Sequence, residues 1–140
     1  MAVLNSETVT KTEITPIAAE MDIVKARQAV RAATLALGFK LVDQTKIVTA
    51  ASELARNTLV YGKGGTMTLE FVARDRRMGL RMIFEDRGPG IADLKLAMTD
   101  GYTTGSGLGM GLSGAKRLVS EFDIVSRVGE GTRVTATKWM

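Results

Sequence analysis

Three groups of residues in this chain have the types and spacing to do chemistry. Glu53 and Asn57 lie four positions apart in the stretch Ser52-Glu53-Leu54-Ala55-Arg56-Asn57. On a helix that spacing puts both on one face. The amide offers a neutral oxygen to Mg²⁺, an ion that takes oxygen ligands and keeps several waters. The carboxylate could take a proton from an attacking hydroxyl. A plainer reading is open at this point: Glu53 pairs with Arg56 three residues on, and Asn57 is a surface amide.

The second group is Asp86-Arg87-Gly88-Pro89-Gly90, at the end of an apolar alternating segment. An acid there sits at the mouth of a pocket, and a carboxylate accepts a hydrogen bond from an exocyclic amine such as that of adenine. The spaced glycines let backbone approach a flat ligand, although the same residues also make an ordinary turn. The third group is Gly105-Ser106-Gly107-Leu108-Gly109-Met110-Gly111-Leu112, with glycine at alternate positions running into an amphipathic segment. Converging backbone N–H groups and a helix N-terminus suit a phosphate. No Lys-Ser or Lys-Thr follows, so this is not a Walker loop. No strand leads directly into it, so it is not a dinucleotide-binding turn. A linker is the competing reading. Gly129-Glu130-Gly131-Thr132 reads by itself as a hairpin turn.

The surrounding pattern must position these groups. Asp22 reads as the N-cap of a first helix, with Ile23, Ala26, Val30, Ala33 and Leu37 at helical spacing and Gly38 as its stop. Asp43 reads as the N-cap of a second helix reaching Tyr61 and closed by Gly62. Ile47, Val48, Ala50, Ala51, Leu54, Ala55, Leu59 and Val60 run nearly all round it, so it should be largely buried. Met67, Leu69 and Phe71, then Leu80, Met82 and Phe84, alternate with polar neighbours, and Arg74 to Gly79 joins them as a hairpin. The segment from Asp86 to Gly111 reads as irregular and a third helix as Leu112 to Glu121. Two last strands follow, Phe122 to Val128 and Thr132 to Trp139. Thr8 to Ile14 is a further strand candidate, and residues 1–7 are expected to be loosely attached. Helices on one face of a mixed, mostly antiparallel sheet make an α+β sandwich, here in a single domain over 1–140.

Composition narrows the chemistry. The chain has no cysteine and no histidine, which removes disulfides, thiolate metal sites, imidazole bases and phosphohistidine. Acid–base work falls to Asp, Glu, Lys or Tyr. No apolar run reaches the roughly 18 residues of a membrane span, and no leader pattern opens the chain, so a cytoplasmic, membrane-free protein is expected. The net charge of +4 could point to nucleic acid. Its cations are scattered, the densest cluster being Arg74-Asp75-Arg76-Arg77, and aromatics make up only 5%, so a basic face toward an acidic ligand or protein is the better reading.

Taken in order, Glu53-x-x-x-Asn57, Asp86-x-Gly88-x-Gly90, the glycine-rich stretch ending at Gly111, and Gly131-Thr132 resemble the boxes of the gyrase, Hsp90, histidine-kinase and MutL (GHKL) ATPase superfamily. Gly114-Ala115-Lys116-Arg117-Leu118, Glu121-Phe122 and Lys138-Trp139 extend the likeness toward the stressosome switch kinases. The resemblance implies the Bergerat ATP-binding sandwich, with ATP and Mg²⁺ as cofactors. Asp86 would contact the adenine amine, with Thr132 helping through water. Asn57 would hold Mg²⁺, and Glu53 would be the catalytic base. Gly88, Gly90, Ile91, Gly105, Gly107, Leu108, Gly109, Met110, Gly111 and Leu112 would line the nucleotide under a lid that opens between Asp100 and Gly111. The implied activity is protein serine/threonine kinase. Its implied substrates are STAS-domain proteins of the RsbS and RsbR kind. A PP2C-type phosphatase of the RsbU kind would be activated on release, and the protein would be a monomer or weak dimer. Anti-sigma-factor kinases are the related branch, and a non-catalytic nucleotide-dependent binding switch is the other alternative. Arg56 is the candidate for a cation at the transferring phosphate.

Overall fold

A computed structural model describes residues 6–99 and 111–140. Its elements run β1 (Glu7–Ile17), α1 (Glu20–Leu37), α2 (Leu41–Val60), β2 (Gly65–Arg74), β3 (Arg77–Asp86), α3 (Leu94–Ala97), α4 (Gly111–Arg117), β4 (Glu121–Arg127) and β5 (Gly131–Trp139). The strands form one sheet in the order β1-β2-β3-β5-β4. Every pairing is antiparallel, where the sequence suggested a mixed sheet. The reason lies in the connection: β5 turns back from β4 and enters beside β3 against its direction.

The helices cover one face, as the alternation requires. Met67, Leu69, Phe71, Leu80, Met82, Phe84, Val134 and Ala136 are buried under Ile23, Ala26, Val30 and Ala33 of α1 and Ile47, Ala50, Ala51 and Leu54 of α2. Fully burying each large side chain contributes about 1.5–3 kcal/mol, so this layer is the main source of stability. Helix α2 is less enclosed than its composition suggests. Leu41 and Val42 at its start and Val60 at its end are exposed.

Both long helices begin earlier than their apolar spacing indicates. The cap position of α1 is Ala19; Asp22 sits one turn inside and its carboxylate accepts the N–H groups of Ala18 and Ala19 at 2.8 and 3.0 Å. The acid caps from within, and those bonds hold its carboxyl below the usual range. Helix α2 starts at Leu41 after Lys40, with Asp43 in its first turn, where an acid complements the helix dipole. The β2–β3 turn is also tighter than expected. Arg74 pairs with Arg77, and Asp75 takes the left-handed conformation at φ 56°. Helix α4 is shorter than the expected Leu112–Glu121. Ser120 N–H already donates to Thr137 O at 2.8 Å, which draws the chain into the sheet.

The open face of the sheet carries a charged cluster. Trp139 lies across Gly79, where a Cβ would come within 2.6 Å of the indole. The Arg74 guanidinium stacks 4.6 Å from the Trp139 ring, and the indole N–H donates to Glu121 at 3.1 Å. Arg74 donates to Glu7 and Glu121, and Arg81 donates to Glu7 at 2.9 Å. Glu7, expected in a loose terminus, is thus the second residue described and the centre of this cluster. Hydrogen bonds from Arg81 and Arg74 outweigh the opposing effect of burial and lower its pKa from 4.5 to about 2.

A carboxyl whose folded pKa lies below its unfolded value stabilises the fold above the unfolded pKa and ceases to do so as it protonates. Glu7 should therefore contribute fully above pH 4.5, with its contribution disappearing as the pH falls toward about 2. Urea midpoints measured across that window should fall less steeply for Glu7→Gln than for the unaltered chain. An unchanged slope would assign the acid sensitivity to other groups.

Candidate active site

The last two turns of α2, the end of β3 and the start of β5 enclose a cavity of about 240 Å³. Glu53, Arg56, Asn57 and Tyr61 come from α2 and the residue that follows it. Asp86 comes from the last position of β3, and Thr132 and Val134 come from β5. Phe84 and Leu54, both buried, form the apolar floor. Gly90 and Ile91 close one side, and Ala97, Gly111 and Leu112 another.

Asp86 is fixed by its backbone surroundings. Its Oδ1 accepts the N–H of Gly88 at 2.9 Å and of Thr132 at 3.2 Å. Gly62 lies against the other side of the carboxylate, and a Cβ there would overlap Asp86 Oδ2. Gly88 in turn rests on Gly62, where a Cβ would come 2.7 Å from the Gly62 carbonyl oxygen. Gly88 is not among the residues lining the cavity; through its N–H it holds the Asp86 carboxylate. Thr132 hydroxyl and Ser126 hydroxyl lie 2.7 Å apart, and Ser126 Oγ also accepts the N–H of Ile91 at 2.8 Å.

At the opposite end, Glu53 and Asn57 share the cavity-facing side of α2 as their spacing requires. Arg56 does not pair with Glu53. It lies 3.7 Å from Glu20, on a partly exposed contact. Among the described residues neither the Glu53 carboxylate nor the Asn57 side-chain amide has a hydrogen-bond or ion-pair partner. A half-buried acid and amide left unpaired beside a cavity suit a hydrated divalent ion, which needs one or two protein oxygens and takes the rest from water and phosphate. The donor set therefore fits Mg²⁺.

Of the expected site residues, Glu53, Asn57, Asp86, Gly90, Ile91, Gly111, Leu112 and Thr132 line this one cavity. Gly105, Gly107, Leu108, Gly109 and Met110 lie outside the described residues. The sequence reading missed Gly62, Tyr61, Phe84, Val134 and Ser126. Ser126 was legible in principle: it is the inward member of the series Phe122, Ile124, Ser126 on β4, and a hydroxyl in an otherwise apolar series calls for a partner.

Residues 42–139 match the model of the histidine kinase-, DNA gyrase B- and HSP90-like ATPases. The chain belongs to this family. This ATPase-fold chain is 50% identical over 124 residues to the serine/threonine-protein kinase RsbT of Bacillus subtilis, covering 89% of the chain and 93% of the relative. It is 32% identical over 122 residues to an anti-sigma F factor of Clostridium novyi, covering 81% of the chain and 82% of that protein. A crystal structure of the RsbU and RsbW domains of Rv1364c from Mycobacterium tuberculosis superposes with a TM-score of 0.63 at 26% identity. That match covers 92% of this chain but only 32% of the longer one. The antiparallel sheet covered by helices is the GHKL ATPase fold. Identity at this level over nearly the whole of both chains makes the protein an ATP-dependent kinase of the serine/threonine class.

Gly62→Ala puts a methyl group where the Asp86 carboxylate now lies. Titration calorimetry with Mg·ADP should show affinity reduced by about tenfold or more, the expected cost of moving the Asp86 carboxylate away from its backbone donors beside the cavity. Unchanged affinity would mean that the position of Asp86 is not set by this contact.

Proposed function

We propose that the protein transfers the γ-phosphoryl group of ATP to a serine or threonine hydroxyl of a STAS-domain protein of the RsbS or RsbR kind. In this reading Asp86 receives the adenine amine and Thr132 assists through water. Ile91, Leu112, Phe84 and Val134 enclose the base. The triphosphate extends toward α2 and the glycine-rich segment that includes Gly105, Gly107, Leu108, Gly109 and Met110. Asn57 would hold Mg²⁺, which neutralises phosphate charge when bound. Glu53 takes the proton of the acceptor hydroxyl as its oxygen forms the new bond to phosphorus, and the bond to the bridging oxygen breaks to leave ADP. Catalysis of this kind is mostly positioning and charge stabilisation. Arg56, whose contact among the described residues is a partly exposed 3.7 Å approach to Glu20, would turn toward the phosphates.

The observation that carries the reading is the unpaired acid and amide on α2 facing the same cavity as a backbone-anchored aspartate. The cellular setting belongs to the same proposal: a cytoplasmic monomer or weak dimer that, when released from its substrate, binds and activates a PP2C-type phosphatase of the RsbU kind. In keeping with this, no helix among the described residues is long and apolar enough to cross a membrane. A second reading, an anti-sigma-factor kinase or a nucleotide-dependent binding switch, draws support from the anti-sigma F relatives at 30–32% identity. The 50% identity to RsbT favours the first.

Incubation with γ-labelled ATP, Mg²⁺ and candidate STAS proteins should transfer label to the partner. Glu53→Ala should reduce transfer by about a hundredfold or more, the scale of a lost general base, while Mg·ADP affinity stays within about twofold. Full transfer by Glu53→Ala would end its assignment as base. Partner capture without any transfer by the unaltered protein would favour the binding switch.

A further inference from the structure

The outer side of the helical layer carries an apolar, basic corner that the nucleotide cavity does not use. Helices α1 and α2 are joined by only the residues 38–40, so they lie side by side as an antiparallel pair. Near this corner an open groove of about 200 Å³ is lined by Arg31 of α1 and by Leu41, Gln44, Thr45 and Val48 of α2. Leu41 is 75% exposed, Val42 66%, and Leu35, one turn beyond Arg31, 60%. Large aliphatic side chains gathered in water around one groove mark an interaction surface, whereas single scattered ones do not.

The polar groups of the groove divide into committed and free. Gln44 Nε2 donates to the Phe39 carbonyl at 2.7 Å and the Thr45 hydroxyl donates to the Leu41 carbonyl at 3.0 Å, so both serve the start of α2. Among the described residues the Arg31 guanidinium has no hydrogen-bond or ion-pair partner. Residues 23–52 hold the cations Lys25, Arg27, Arg31, Lys40 and Lys46 against the single acid Asp43, and Asp43 lies 3.8 Å from Lys138. An occupant must therefore bring apolar side chains and negative charge together. A second copy does not: a two-fold contact would set Arg31, Lys40 and Lys46 against the same cations. A bilayer surface needs a continuous apolar helix face, and between Val24 and Leu35 the exposed positions of α1 include Lys25, Arg27, Gln28 and Arg31.

The geometry points to this corner as a docking site for an acidic amphipathic helix of another protein, its apolar stripe on Leu35, Leu41 and Val42 and a carboxylate on Arg31. The groove between two packed helices accepts the side-chain ridge of a third, and anchors one turn apart read it. Leu41 and Glu53 are separated by a rise of about 18 Å along α2, so an occupant leaves the cavity open.

A phage-displayed library of helical peptides with randomised outward positions, selected on the full chain, supplies the probe. Enriched sequences should repeat apolar residues at i, i+3 or i+4 and i+7, with Asp or Glu beside that stripe. In fluorescence anisotropy the best peptide should bind about tenfold or more weakly to Arg31→Glu and to Leu41→Ser. The thermal midpoint should stay unchanged in both, as expected of substitutions at exposed positions. Replacing the peptide's acids by Lys should restore binding to Arg31→Glu, a rescue that damage to the fold could not produce. Enrichment of basic or uncharged peptides, binding insensitive to both substitutions, or no enrichment at all overturns the proposal. Sedimentation of the chain with phosphatidylserine vesicles that Arg31→Glu abolishes would assign the corner to a membrane and overturn it too. So would a concentration-dependent dimer that Leu41→Ser disperses, which would assign the corner to a second copy.

Discussion

The site depends on a single carboxylate held by main chain. Asp86 ends β3, and its oxygen is bound by N–H groups from the residue two positions on and from β5. Backbone donors have no rotamers to reorder, so the acid is preset before any ligand arrives, which is how an enzyme avoids reorganisation cost at the moment of binding. The close packing of Gly62 and Gly88 against it follows from the same requirement. Side chains at those positions would occupy the space in which the carboxylate is gripped. Because Gly62 directly follows the α2 cap, this contact also sets where the helix carrying Glu53 and Asn57 ends relative to Asp86.

That link couples the two ends of the cavity. Helix α2 is positioned by its buried face, Ile47, Ala50, Ala51, Leu54 and Ala55, on the sheet. Three of those five are alanines, which allow close approach of helix to strand. Glu53 and Asn57 lie on the flank of this buried face, half-buried and, among the described residues, unpaired. A helix fixed by packing and a carboxylate fixed by hydrogen bonds give a rigid frame.

Much of this was legible from residue types alone. The period-2 runs of β2 and β3, the helical spacing of α1 and the nearly all-round apolar content of α2 placed those elements, because each buries an apolar face and the signal is strong. The i,i+4 spacing of Glu53 and Asn57 needed only the helix to be real. Boundaries were harder. Asp22 and Asp43 look like N-caps, yet both act from the first turn, a role the same residue type fills equally well. Gly88 was read as ligand-facing, and glycine signals close approach without saying what approaches; among the described residues Gly62 lies against it. Ser126 and Gly62 were missed because their roles depend on pairing between distant segments, Ser126 with Ile91 and Gly62 with Asp86, information that no local pattern carries. The arginine cluster at 74–77 looked like a possible nucleic-acid signal. In the structure Arg74 is occupied by Glu7, Glu121 and Trp139, which leaves little of it for phosphate.

The strand order has a kinetic consequence. β5 follows β4 in sequence but lies between β3 and β4, so the β4–β5 hairpin joins the edge of β3 through its second strand. The β1–β2–β3 meander can form on its own, but Thr132 and the second N–H on Asp86 arrive only when that hairpin docks. Long-range pairings of this kind pay loop-closure entropy before they gain contacts and are intrinsically slow. Partly assembled forms thus lack that end of the cavity, and a nucleotide that needs it will stabilise only the finished sheet, acting by mass action as a clamp on the last folding step.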